Sequence, residues 1–178
     1  MPKKNPPPNE KKKMSSLALF PNAMDRVDDL LYIGCRAVAP QCAALGFTHR
    51  VQLSAAAAAA APAPPEDESD TNPPLLYIQL EDDEEASLED AIFVFVQFMR
   101  QRNSRTDRVF LHCDAGVSRS GSLALVYLVV FRDMSLSEAR SHMLQCRPCV
   151  KPNRGFMAQL EQFEKEHRRH HQKSVLVS

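Results

Sequence analysis

The 178-residue sequence predicts an α/β fold, a central mostly parallel sheet flanked by helices on both sides. Three observations point there. Short apolar runs read as strands at "LLYIG", "THRVQLS", "LLYIQLE" and "RVFLH". Segments between and after them carry helical spacing or are apolar all round. The two kinds alternate along the chain, the pattern of a sheet covered by helices rather than of separate all-α and all-β units.

In chain order, residues 1–25 hold "PKKNPPPNEKKK", too rich in lysine and proline to pack, and read as a disordered tail. Lys11, Lys12 and Lys13 admit a nuclear address, with a solvated charge run as the plainer reading. The domain is expected over 26–168. Its first strand is Leu31–Ile33, ending at Gly34, and a helix through "AVAPQCAALG" follows, closed by Gly46. After "THRVQLS", residues 55–74 open on an unbroken run of seven alanines and go on to prolines and acids; alanine favours helix, but so short a run does not nucleate one alone, and a low-complexity surface insertion is expected. "LLYIQLE" is the next strand. Ser87 and Asp90 fit a capping box ahead of a helix bearing Leu88, Ile92, Phe95, Val96 and Met99. "RVFLH" reads as a buried central strand and Leu123–Phe131 as a buried helix. Ser135 and Glu138 cap another helix, a last one runs from Gly155 to His167, and 169–178 is read as a tail.

Composition excludes some functions. With 22 Lys+Arg against 22 Asp+Glu there is no global basic field, so neither nucleic acid nor a membrane surface is the expected partner. The longest apolar run is far short of the ~20 residues that span a bilayer, and Pro2 is incompatible with myristoylation. Five cysteines, an odd number without a secretory segment, fit a reducing compartment, cytoplasmic or nuclear. Cys146 and Cys149 form C-R-P-C, weak as a zinc or redox pair without a second pair. "HRRHHQK" is a solvated basic end rather than a metal site.

The chemistry concentrates in "FLHCDAGVSRSGS", Phe110–Ser122. A strand ends at Cys113, the short loop of Asp114, Ala115, Gly116, Val117 and Ser118 follows, and a helix starts near Arg119. Backbone N–H groups converging at a helix N-terminus make a socket for a phosphate dianion. Arg119 adds a planar fork of donors matched to two phosphate oxygens. Dipole and arginine together favour a thiolate at Cys113, the nucleophilic form. The plain alternative is a buried thiol at an ordinary strand-to-helix turn.

His112, Cys113, Gly116 and Arg119 fit the H-C-x-x-G-x-x-R signature, and Ser118–Ser120 the S-R-S form; in both, the chain resembles the cysteine-dependent dual-specificity protein phosphatases. "LLYIG", "GFTHRVQL", "VYLV" and "RPCVKPNRGFMAQL" resemble further segments of that family in the family's order, over about 26 to 166; the insertion departs from it. The resemblance implies hydrolysis of phosphotyrosine and phosphoserine or phosphothreonine on protein substrates, through a cysteinyl-phosphate, without metal or cofactor, by a monomer or weak dimer. It implies that Cys113 attacks, Arg119 and the loop N–H groups of Asp114 to Ser118 hold the phosphate, Ser120 assists release of the thiolate and His112 orients the loop. Asn153 would bond to the loop from behind or cap a helix, and Gln159 is structural. A general acid must protonate the leaving group. "EDDEEAS" offers several; the resemblance selects Asp82, just past a strand with Ile78 and Leu80 four and two positions earlier and six residues before Leu88, with Asp83 as alternative. A solvated acidic loop would explain the same composition. The loop lacks lysine, which disfavours phosphoinositide substrates. The competing function is a phosphate-binding pseudophosphatase or scaffold, which would normally lack the cysteine, the arginine or the acid.

Overall fold

The computed structural model describes residues 23–55 and 73–176. The elements run β1 (Met24–Arg26), β2 (Leu31–Cys35), a 3-10 helix (Arg36–Gln41), β3 (His49–Ser54) and β4 (Leu75–Gln79). They continue with α1 (Glu89–Arg100), β5 (Val109–Cys113), α2 (Arg119–Phe131), α3 (Leu136–Cys146) and α4 (Arg154–Leu176).

The sheet order is β1-β2-β5-β3-β4, with β1 antiparallel to β2 and every other pair parallel. All five residues of β5 are buried, as its unbroken apolar run predicts for a central strand. The register aligns Ile33, Leu111 and Val51 across β2, β5 and β3. With Leu31, Leu53 and Val109 they join the core that receives the α-helices. α2 touches β2, β5 and the three other helices, which is why Arg119 to Val129 are all buried and its apolar run from Leu123 packs on every side. Burying each Leu or Val there contributes about 1.5–3 kcal/mol.

The other face has a lighter cover. The 3-10 helix lays Val38 and Ala39, with Cys42 and Phe47, onto Phe110. Among the described residues both faces are therefore covered, one by the four α-helices and the other by the 3-10 helix and the loop after it.

Four local expectations change. The helix predicted through "AVAPQCAALG" is the 3-10 segment, because Pro40 inside it supplies no backbone donor. Ser87 and Asp90 do not form a capping box: α1 starts one residue later than they require, after Leu88, and Ser87 Oγ only accepts from Glu89 N at 3.2 Å. β1 occupies Met24–Arg26, partly inside the segment read as tail 1–25, since a three-residue edge strand is too short to show alternation. α4 continues to Leu176, past His167 and into the segment read as a tail; its polar last turns carry i,i+4 partners such as Glu164 and Arg168 at 3.1 Å. The Ser135–Glu138 capping box is present. Residues 1–22, with Lys11–Lys13, and 56–72, most of the insertion, lie outside the described residues. Among those described, no helix is long and apolar enough to cross a membrane.

Candidate active site

Three parallel strands deliver side chains to one end of the sheet, the carboxyl end where ligands of open α/β sheets bind. β5 ends at Cys113 and runs into the loop 114–118; Arg36 follows β2, and Asp82 lies three residues beyond β4.

Cys113 is buried. Its Sγ lies 3.2 Å from Ser120 Oγ, and Gly116 N–H donates to it at 3.3 Å. The loop therefore turns a backbone donor inward at the sulfur. Gly116 has φ +71°, and a Cβ there would stand 2.5 Å from Gly34 O, so only glycine fits. α2 begins directly at Arg119, bringing its N-terminus to the loop.

Arg119 is almost fully buried beneath the loop. Its Nη2 donates to Asp114 Oδ2 at 2.5 Å and its Nη1 to Leu80 O at 3.4 Å. Asp82 Oδ2 lies 3.8 Å from its Nε. The other oxygen, Asp82 Oδ1, accepts from Ser118 Oγ at 2.6 Å and from Asn153 Nδ2 at 3.2 Å. Asp82, the first choice among the five acids, thus stands beside the loop. Asp83 Oδ1 instead accepts from Glu85 N at 2.8 Å and stabilises its own turn.

Asn153 combines two roles. Its Oδ1 accepts from Phe156 N at 2.8 Å, capping α4, while its N–H reaches Ser118 Oγ at 3.3 Å and its Nδ2 reaches Asp82. Gln159 ties α4 to the start of α1, accepting from Leu88 N and donating to Ala86 O, both at 2.8 Å. His112 is buried, stacks on Phe110 at 5.1 Å, and is kept neutral because burial pulls its pKa down to about 4.

Arg147 escaped the sequence reading. It is 1% exposed, and its Nε and Nη2 donate to Gly116 O and Ala115 O at 2.8 and 3.3 Å, drawing those carbonyls away from the site. Its Nη1 meets Asp25 Oδ2 of β1 at 2.6 Å. The only sequence signal was an arginine ahead of a proline in "RPCVKPNRG". Cys146 Sγ lies 3.4 Å from His142 Nε2 in α3, and all five cysteines are free thiols. A concavity of about 750 Å³ between α1 and α4 contains none of the loop residues.

Residues 31–166 match the family model of the dual specificity phosphatase catalytic domain. The chain belongs to the dual specificity phosphatase family. Human dual specificity protein phosphatase 18 is 35% identical over 89 residues, 50% of this chain and 47% of that one. Human dual specificity protein phosphatase 5 is 34% identical over 90 residues, 51% and 23% of the two chains. The chain thus spans about half the length, or less, of these curated relatives. Among solved structures, human DUSP28 aligns with a TM-score of 0.64 at 26% identity, over 83% of this chain and 97% of that one. The human tyrosine phosphatase-like serine/threonine/tyrosine-interacting protein aligns with a TM-score of 0.69 at 21% identity, over 81% and 97%, a likeness of fold. In this dual specificity phosphatase domain the matched span takes in the loop, Asp82 and Arg147, and ends within α4.

Proposed function

We propose that this protein is a phosphatase that hydrolyses phosphotyrosine and phosphoserine or phosphothreonine on proteins through a cysteinyl-phosphate. One observation carries the reading: Cys113 Sγ sits within 3.3 Å of both a loop N–H and the Ser120 hydroxyl. Arg119 and Asp82 stand beside that loop.

Cys113 attacks phosphorus in line with the ester oxygen, forming the S–P bond as the P–O bond breaks. Loop N–H groups and Arg119 hold the equatorial oxygens as charge redistributes. Asp82 gives its proton to the departing oxygen, which leaves as an alcohol or phenol. Water then attacks the cysteinyl-phosphate and returns a proton to Asp82. Ser120 donates to the sulfur as the thiolate leaves. A cytoplasmic or nuclear setting keeps the thiol reduced.

A binding-only scaffold would be expected to have lost Cys113, Arg119 or Asp82, and this chain keeps all three. The test is hydrolysis of p-nitrophenyl phosphate and of phosphotyrosine and phosphothreonine peptides by the wild type and Cys113→Ser. Turnover by the wild type alone is expected. Equal rates for the two, or none in either, would leave the scaffold reading standing instead.

A further inference from the structure

Asp114, the first side chain of the loop, divides its carboxylate between two guanidinium groups. Oδ2 lies 2.5 Å from Arg119 Nη2 and Oδ1 lies 2.6 Å from Arg36 Nη2. Arg119 is buried, whereas the side chains of Arg36 and Asp114 are each 54% exposed. Asp114 thus reaches inward from the rim to the one arginine that the proposed reaction needs for phosphate.

The donors of Arg119 are unequally engaged. Its Nε is buried and, among the described residues, makes no hydrogen bond, although a buried guanidinium N–H left unpaired is costly. Asp82 Oδ2 lies 3.8 Å from it, beyond hydrogen-bond reach, so a phosphate oxygen entering the loop can still claim that donor. Nη2, the second donor a bidentate oxyanion would use, is already held by a carboxylate. A dianion arriving at the loop must displace Asp114 or share the site with a like charge. Arg36 offers the displaced carboxylate a place, since it already holds the other oxygen.

We propose that Asp114 is a specificity-determining clasp on Arg119, which a phosphate displaces toward Arg36. This rests on the reading of the loop as a phosphate site. Two consequences follow. Free oxyanions bind weakly, because they must open the clasp unaided. Phosphopeptides with a lysine or arginine next to the phosphorylated residue are preferred over those with an acid there, because a neighbouring cation compensates the displaced Asp114 carboxylate.

The experiment measures inhibition by inorganic phosphate, and kcat/KM for two phosphotyrosine peptides differing only in Lys or Glu beside the phosphotyrosine. Wild type, Asp114→Asn, Arg36→Ala and the double variant are compared. Both positions are half exposed, so the variants should fold. Asp114→Asn should bind phosphate about fivefold tighter, the scale of one partly exposed ion pair. It should also lose most of the preference for the Lys peptide. Arg36→Ala should weaken phosphate binding in the wild-type background and much less in Asp114→Asn. Unchanged or weaker phosphate binding by Asp114→Asn overturns the clasp, as does a Lys preference that survives it. An Arg36→Ala effect of equal size in both backgrounds also overturns it. If neither wild type nor Asp114→Asn binds phosphate or turns over, the phosphate-site reading falls with the clasp; if the wild type turns over normally, only the clasp falls.

Discussion

Replacing Asp82 by asparagine removes the proton it gives in the proposed reaction and the carboxylate charge 3.8 Å from Arg119 Nε, while keeping the side chain's shape. An amide at position 82 keeps a carbonyl oxygen for Ser118 Oγ and Asn153 Nδ2, the two donors that position the carboxylate. Stability should therefore change by no more than about 0.5 kcal/mol. What is lost is general acid catalysis at the leaving oxygen, worth about 10²–10⁴-fold, so kcat on a phosphotyrosine peptide should fall at least about a hundredfold, or ~2.7 kcal/mol of barrier. On p-nitrophenyl phosphate, whose leaving anion is stable without a proton, the fall should stay under about tenfold. Asp83→Asn touches only a hydrogen bond within its own turn, and should alter either rate by no more than about twofold. Steady-state kinetics of both variants on both substrates decide the matter. A large loss in Asp83→Asn alone would move the acid to Asp83. An equal loss on both substrates in Asp82→Asn would mean that Asp82 acts by holding Ser118 and the loop, not by protonating the leaving group.

Two further outcomes follow from buried groups. Asp25→Ala removes the carboxylate that Arg147 Nη1 meets at 2.6 Å behind the loop, and breaking a buried pair from one side costs about 3–5 kcal/mol. Urea unfolding should show it, and a loss under about 1 kcal/mol would mean that β1 does not anchor the loop. His112 is neutral when folded, with a pKa of about 4, while the unfolded chain takes up a proton near the ordinary value of 6.5. Its contribution is therefore complete above about pH 6.5 and declines as pH falls through about 4, amounting to about 3 kcal/mol. His112→Gln should flatten that part of the stability–pH curve; an unchanged slope would assign the acid sensitivity elsewhere.

The loop half of the candidate site was legible because its residues are adjacent in sequence. Cys113, Gly116, Arg119 and Ser120 lie within eight positions, and each residue type is demanded by the chemistry at that spacing. Asp82 required family position, since Asp83 has the same composition and only the fold turns one carboxyl to Ser118 and the other to its own turn. The sheet was legible where strands are buried on both faces, as in β5, and illegible at β1, where pairing is by backbone and burial is partial. The Ser87 capping signal had the right residues and failed because Gln159, distant in sequence, takes the Leu88 N–H and fixes the start of α1.

β1 also explains why the loop's support could not be read from any one segment. A Cβ on Gly34 would lie 2.6 Å from Ala23 O, just before β1, and one on Gly116 would lie 2.5 Å from Gly34 O. Backbone from the first strand pair and the loop is thus stacked at a spacing that two absent side chains permit. Arg147 crosses the same stack, joining Asp25 of β1 to the carbonyls of Ala115 and Gly116. The Ala115 carbonyl held from behind belongs to the peptide whose N–H, that of Gly116, donates the other way to Cys113 Sγ at 3.3 Å. The inward aim of the donors therefore depends on a three-residue strand about ninety positions earlier, so damage at Asp25 should weaken oxyanion binding as well as stability.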